Sequence, residues 1–310
     1  MLQEKWYKLF MDLRPDPIER LKFCSEIIEN FIVEYGIPGT EGIHLEHQKV
    51  AEIISGKTPL YSSLKAAKRY GETSYLLWAL NTELNRKDLL LNNIRNWGSG
   101  EDEIGSSHFR NFEFECHTAL RFLEEGNKVT PIVDGGNPEF CINDTFAIEC
   151  KRPFKLEGLF LNTLKAKQQI DKAKIQGFLI FNLDDLENFN PPSSDVVIYS
   201  ALKELSLFSE FGMGTTETNL KGVLFEYLGS QSAIQNSHLY AIKNNLSHIS
   251  EPVTNTISKA LTGHENLIFD NNTLKLKDRY PLDYNKKEKE KSKLAYDIFS
   301  NQTVGKYQRN

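Results

Sequence analysis

Along this chain the spacing of apolar residues changes character, and the change limits the folds open to it. From residue 1 to about 97 apolar side chains recur at intervals of three and four with little alternation, the period of helices packed on one face. Farther on they collect into the short runs "KVTPIV", "EFCI", "FAIECK", "GFLIFNL", "GVLFEYL" and "HLYAIK", which have the length of strands. A helical pattern, "LNTLKAKQQIDKAKIQ", stands among them. Strands interleaved with helices predict a layered α/β domain behind an α-helical N-terminal region.

Local signals divide the chain further. In "DPIERLKFCSEIIENFIVEYG" Asp16 is placed to cap a helix, Pro17 suits its first position, Glu19 completes a capping-box pattern and Gly36 ends it. The glycine- and serine-rich stretch "GSGEDEIGSSH", residues 98–108, reads as a linker after the helical region 1–97. Beyond it "HFRNFEFECHTALRFLEEG" predicts an amphipathic helix with Phe112, Cys116, Ala119, Leu120 and Leu123 on one face and Gly126 as its stop. The α/β domain then covers 109–250. Residues 251–310 form a C-terminal extension whose "YNKKEKEKSK" run has the mixed charge of a solvated helix or tail.

A chain of 310 residues buries enough surface to need no covalent staples. Its four cysteines, Cys24, Cys116, Cys141 and Cys150, lack close repeat spacing and read as reduced, mostly buried thiols. No apolar run approaches the ~20 residues of a membrane span, and the N-terminus has no continuous apolar segment of the export type. The expectation is a cytoplasmic protein with no membrane contact. Net charge is −5, so any nucleic-acid contact must come from a local basic surface.

The stretch "NPEFCINDTFAIECKRP", residues 137–153, carries ionisable groups inside a strand-like pattern. Counted by twos, Phe140, Ile142, Phe146, Ile148 and Cys150 make an apolar face, while Glu139, Cys141, Ala147, Glu149 and Lys151 make the other. If "NDT", residues 143–145, is a three-residue hairpin loop, Glu139 lies across from Glu149. Opposed like charges weaken a sheet by up to about 1 kcal/mol, and a cation between them removes the penalty. Two carboxylates beside a lysine are a metal-plus-base arrangement suited to Mg²⁺ or Mn²⁺. Glu139 and Glu149 would hold the ion, the backbone carbonyl of Cys150 would add an oxygen, and Lys151 would stand beside the attacking water. The competing reading is a surface hairpin whose outward face carries a solvated salt bridge.

The pattern of Pro138-Glu139, nine residues, then Glu149-Cys150-Lys151 resembles the PD-(D/E)xK nuclease superfamily, with glutamate where aspartate is commoner at 139. The triplet at 149–151 is the chain's single instance of (D/E)xK. The resemblance implies a restriction-endonuclease-like core, a mixed central sheet flanked by helices, over about 111–183 and at most to 245. It implies an acidic residue in the preceding helix, where Glu115 is preferred by its likeness to Mrr-type members and Glu113 stays open. It also implies a contribution from the following helix, where Gln168, Gln169 and Lys165 stand and Gln169 is favoured. The implied activity is that of a Mg²⁺- or Mn²⁺-dependent nuclease, foremost a DNA endonuclease, with restriction or defence against foreign DNA as an analogy from fold alone. The alternative is an inactive nuclease-fold module that binds nucleic acid or a partner protein. The helical N-terminal region would select substrate or partner, or make a homodimer.

Residues 149–176 form a basic island, with Lys151, Arg152, Lys155, Lys165, Lys167, Lys172 and Lys174 against three acids. Arg152, Lys155, Lys165 and Lys172 are the candidate phosphate contacts, Lys165 and Lys172 sharing a helix face at a spacing of seven. The remaining motifs are weaker. His44 and His47 lack a second ligand pair at zinc spacing, "VDGGNP" lacks the lysine and hydroxyl of a phosphate-binding loop, and "GMGTTETN" reads as a connector.

Overall fold

The computed structural model describes residues 2–9, 14, 16–60, 64–99, 108–132, 137–154, 156–183, 219–228, 235–241 and 251–262. The chain is mixed α/β and falls into two compact units, one of Met1–Thr145 with Cys150–Arg152, the other of Phe146–Glu149 with Pro153–Asn310. No described helix is long and apolar enough to cross a membrane.

The first unit holds α1 (Leu2–Tyr7), α2 (Pro17–Tyr35), α3 (Ile43–Ile54), α4 (Leu64–Trp78) with a π-helical turn at Ala79–Glu83, α5 (Lys87–Leu91), α6 (Ile94–Trp97) and α7 (His108–Glu124). The expected α2 is present: Asp16 Oδ1 accepts from Ile18 N at 2.8 Å and Glu19 N at 3.1 Å, and Gly36 ends the helix in the left-handed region. The Glu19 carboxylate pairs with Lys22 at 2.9 Å. Leu21, Cys24, Ile28 and Phe31 form its buried stripe. Trp97 is the hub of this core, fully buried, with its Nε1 donating to Leu90 O at 2.8 Å and its ring 5.3–5.8 Å from Phe31, Phe109 and Phe112.

Those last two phenylalanines belong to α7, so the helix that follows the glycine- and serine-rich stretch 98–108 packs its apolar face on the helices before it. Residues 100–107 of that stretch lie outside the described residues. At its start the backbone is tight: a Cβ on Gly98 would stand 1.7 Å from Pro38 O.

Strands β1 (Val129–Pro131) and β2 (Phe140–Ile142) pair antiparallel, Thr130 opposite Cys141. The expected turn follows at 143–145, with Asn143 and Asp144 at φ 51° and 54° and Thr145 N donating to Ile142 O at 2.9 Å. Strand β3 (Phe146–Lys151) is divided between the units after Glu149. In the second unit the strand order is β3, β4 (Gly177–Asn182), β5 (Leu220–Leu228), β6 (Gln235–Ala241). β4 runs parallel to β5 and β5 antiparallel to β6, which makes the sheet mixed. Helix α8 (Leu156–Ala173) packs on β4 and β5, and α9 (Glu251–Thr262) on β6. The "YNKKEKEKSK" run and most of "GMGTTETN" lie outside the described residues.

β4 is buried on both faces, and Phe178 meets Phe146 edge-on at 5.6 Å. Asp171 near the end of α8 accepts from Asn219 N at 2.6 Å through Oδ1 and from Lys167 at 2.7 Å through Oδ2. Gly177 N donates to Asn219 O at 2.9 Å, so the entry to β5 is held from two sides.

Candidate active site

Helix α7 supplies the first acids. Phe109, Phe112, Cys116, Ala119 and Leu120 are buried as its periodicity demands, Leu123 is only partly so, and Gly126 closes it with N–H to Leu123 O at 2.9 Å. Glu113 and Glu115 have different surroundings. Glu113 is buried, with one oxygen 2.6 Å from Arg110 and the other accepting from the Thr73 hydroxyl. Arg110 in turn reaches Glu46 of α3 at 2.5 Å. Burial works to raise the Glu113 carboxyl, but Arg110, His117 and the Thr73 and Arg110 hydrogen bonds outweigh it and hold it below the usual range. Glu113 is thus occupied in tying α7 to α3 and α4. Glu115, partly exposed, takes no part in those ion pairs.

The hairpin supplies the rest. Pro138 is buried and delivers Glu139, whose Oε1 stands 3.3 Å from Lys151 Nζ, each side chain about a fifth exposed (22% and 21%). The structure therefore brings Glu139 and Lys151 together. Glu139 also shares an electrostatic neighbourhood with α7. The Cys116 thiol is pushed well above its ordinary value by burial first, then by Glu115, Glu113 and Glu139. Cys116 is accordingly a neutral thiol, donating to Leu89 O at 3.7 Å.

Glu149 differs from the expectation of an apolar face and an outward polar one. Every residue from Phe146 to Cys150 is buried, Ala147 and Glu149 at 0% exposure. A strand covered on both faces cannot be recognised from alternation, because its polar positions face the interior too. A solvated salt bridge at 149 is therefore not what this strand carries. A carboxylate costs several kcal/mol to take out of water, so it is kept in such a place by an offsetting charge or hydrogen bonds, or by protonation.

The other expected residues are dispersed. Arg152, partly exposed, donates from Nη1 to the carbonyl oxygen of Arg110 at 3.2 Å. Lys155 lies outside the described residues. Gln169, partly buried, and the exposed Lys165 and Lys172 stand on α8 of the second unit. Lys167 is taken by Asp171. His44 Nε2 meets Ile37 O at 3.2 Å and His47 Nδ1 meets the Tyr70 hydroxyl at 2.7 Å, structural contacts that account for both imidazoles. The cysteines are free, with Cys24, Cys116 and Cys150 buried and Cys141 partly so.

The donors named for a metal, Glu115, Glu139, Glu149 and the Cys150 carbonyl, are all oxygens and match the preference of a hard divalent ion. Among the described residues no group of three or more His, Cys, Asp or Glu side chains is gathered to hold a metal. The residues fit such an ion only as a site of one or two carboxylates completed by the backbone carbonyl, water and substrate oxygens, a common habit of Mg²⁺.

What sequence reasoning missed is the Glu46–Arg110–Glu113 chain and the Arg152 contact. The three-residue spacing of Arg110 and Glu113 was a usable signal, whereas Glu46 was hidden between two histidines. Comparison of the chain with protein-family models, with curated proteins and with solved structures gives no match.

Proposed function

We propose that this protein is a metal-dependent nuclease that hydrolyses phosphodiester bonds, with DNA as the preferred substrate and internal cleavage as the preferred mode. The observation that carries the reading is Glu149 buried in β3, two residues before a lysine that turns to meet Glu139. In this reading Glu139, Glu149 and the Cys150 carbonyl hold Mg²⁺ or Mn²⁺, with Glu115 supporting. The ion, when bound, makes a coordinated water easier to deprotonate and offsets charge on the phosphate. Lys151 orients the water by hydrogen bonding and steadies the negative charge that builds on the phosphate oxygens. Glu139, whose Oε1 stands 3.3 Å from the Lys151 ammonium, keeps it aimed. Gln169 and the lysines of α8 contact substrate.

A second reading, a nuclease-like module that binds without cutting, draws on the Lys151–Glu139 ion pair, which occupies the lysine. Both are tested by incubating the purified protein with plasmid, linear and single-stranded DNA and with RNA, each with Mg²⁺, Mn²⁺ or EDTA. Cutting that requires metal and is lost in Lys151→Ala, with folding retained, supports the nuclease. Binding without cutting under every condition supports the module.

A further inference from the structure

The residue after the candidate lysine has a role different from the one its charge suggests. The side chain of Arg152 carries a guanidinium in a basic island, and phosphate contact is the obvious reading. Its Nη1 is instead directed at the protein, donating to Arg110 O at 3.2 Å in the first turn of α7. That acceptor stands in a fixed place. The Arg110 side chain is clamped by Glu46 of α3 at 2.5 Å and by Glu113 at 2.6 Å, Glu113 is held by Thr73 of α4, and the guanidinium lies 4.8 Å from the Phe109 ring. Arg152 therefore anchors to the most heavily braced turn of the helix that also presents Glu115.

We infer that Arg152 is a positioning residue: by bonding the Arg110 carbonyl it fixes the end of β3 on α7 and so sets where the Lys151 ammonium stands relative to Glu139. The inference deepens the nuclease reading and rests on it for the role of Lys151, but the anchoring can be tested separately. Residues 150–152 belong to the same compact unit as α7, Glu139 and the α3–α4 brace, so the whole chain of contacts lies within one body. An arginine suits the task because its several donors are fixed in a plane at the end of a long stem, so one bond also sets direction.

The test uses the full-length chain as Arg152→Ala, with Arg152→Lys as the variant that keeps a donor. The primary readout is the rate of Lys151 acylation by limiting N-hydroxysuccinimidyl acetate, followed by peptide mass spectrometry, with the exposed Lys128 as internal reference. The expected result is a several-fold faster reaction at Lys151 in Arg152→Ala, a rate near wild type in Arg152→Lys and no change at Lys128. An unchanged Lys151 rate in Arg152→Ala overturns the inference whether or not the protein cuts DNA. The second readout is plasmid cleavage. Misplacing a group beside the reacting atoms lowers turnover by about 10- to 100-fold, so kcat should fall that far while KM and the salt dependence of DNA binding stay put. A raised KM with the salt slope reduced by about one unit is the mark of a phosphate contact and also overturns it. If Arg152→Ala does not fold, Arg152→Met, which keeps most of the apolar stem and removes the donor, takes its place. A wild-type protein that never cuts refutes the nuclease reading, and the acylation rates still decide the anchoring.

Discussion

Replacing Arg110 by methionine should be among the most damaging single changes in the first unit. The substitution leaves the Glu46 and Glu113 carboxylates, 2% and 7% exposed at their side chains, without the guanidinium that reaches both at 2.5 and 2.6 Å. Removing one partner from a buried ion pair costs about 3–5 kcal/mol, because the surviving charge keeps its desolvation penalty and loses the attraction that offset it. Against a typical total of 5–15 kcal/mol that is a large share, and at 2–4 °C per kcal/mol for a body of this size it lowers Tm by roughly 10 °C. The companion variant is the triple change Glu46→Leu, Arg110→Met, Glu113→Leu. It removes all three charges, and Thr73 keeps its bond to Arg69 O at 3.0 Å. Apolar replacement of a whole buried triad is commonly neutral or stabilising, so the triple variant should recover most of what the single one loses. Urea denaturation followed by far-UV circular dichroism measures both, with the slope checked for constancy. An Arg110→Met midpoint close to wild type, or a triple variant no better than the single, would refute the reasoning.

Acid should weaken the protein through His117. Its folded value of about 4 lies below the ordinary 6.5, so the stability it confers is complete above 6.5 and is lost as pH falls through 4, with the depressed Glu113 acting in the same direction. His117→Gln should flatten the pH dependence of Tm between pH 7 and 4, and parallel curves for variant and wild type would contradict this. Gly98→Ala should cost about 3 kcal/mol or more by forcing Pro38 O away, since the added Cβ would stand only 1.7 Å from it. Gly36→Ala meets nothing within 4 Å and carries only the left-handed penalty of φ +56°, about 1–2 kcal/mol. Thermal melts that reverse this order would refute the close approach at Gly98. Lys165 and Lys172 changed together to glutamine should weaken DNA binding and lower its salt slope by up to about two units while sparing cleavage at saturating DNA. An unaltered slope would return both lysines to an ordinary solvated face.

Much of this fold was legible because it rests on local chemistry. Asp16, Pro17 and Gly36 bound α2 through caps and backbone angles that depend on neighbouring residues alone. The six strand-like runs became six strands, most of them rich in branched or aromatic side chains. The turn at 143–145 was marked by Asn and Asp, which tolerate positive φ. Strand parity placed Glu139, Glu149 and Lys151 on one face, and of these Glu139 and Lys151 meet at 3.3 Å. Long-range facts were not legible. Periodicity gave no hint that α7 packs on Trp97, because an amphipathic face does not name its partner. The burial of Glu149 was hidden for the opposite reason: alternation assumes that one face of a strand meets water, and β3 is covered on both. The bond from Arg152 Nη1 to the Arg110 carbonyl was hidden as well, because a charge count does not say which acceptor a guanidinium reaches.

The hold on Asn219 bears on how a parallel pair of strands finds its alignment. Its N–H is bound by Asp171 and its carbonyl by Gly177 N, so β5 is aligned on β4 at the point of entry by the end of α8 and the start of β4. Parallel strands have no two-residue hairpin to fix their alignment, and a slip of one residue turns every side chain of a strand to the opposite face. Two hydrogen bonds to one backbone residue stand here in place of that turn.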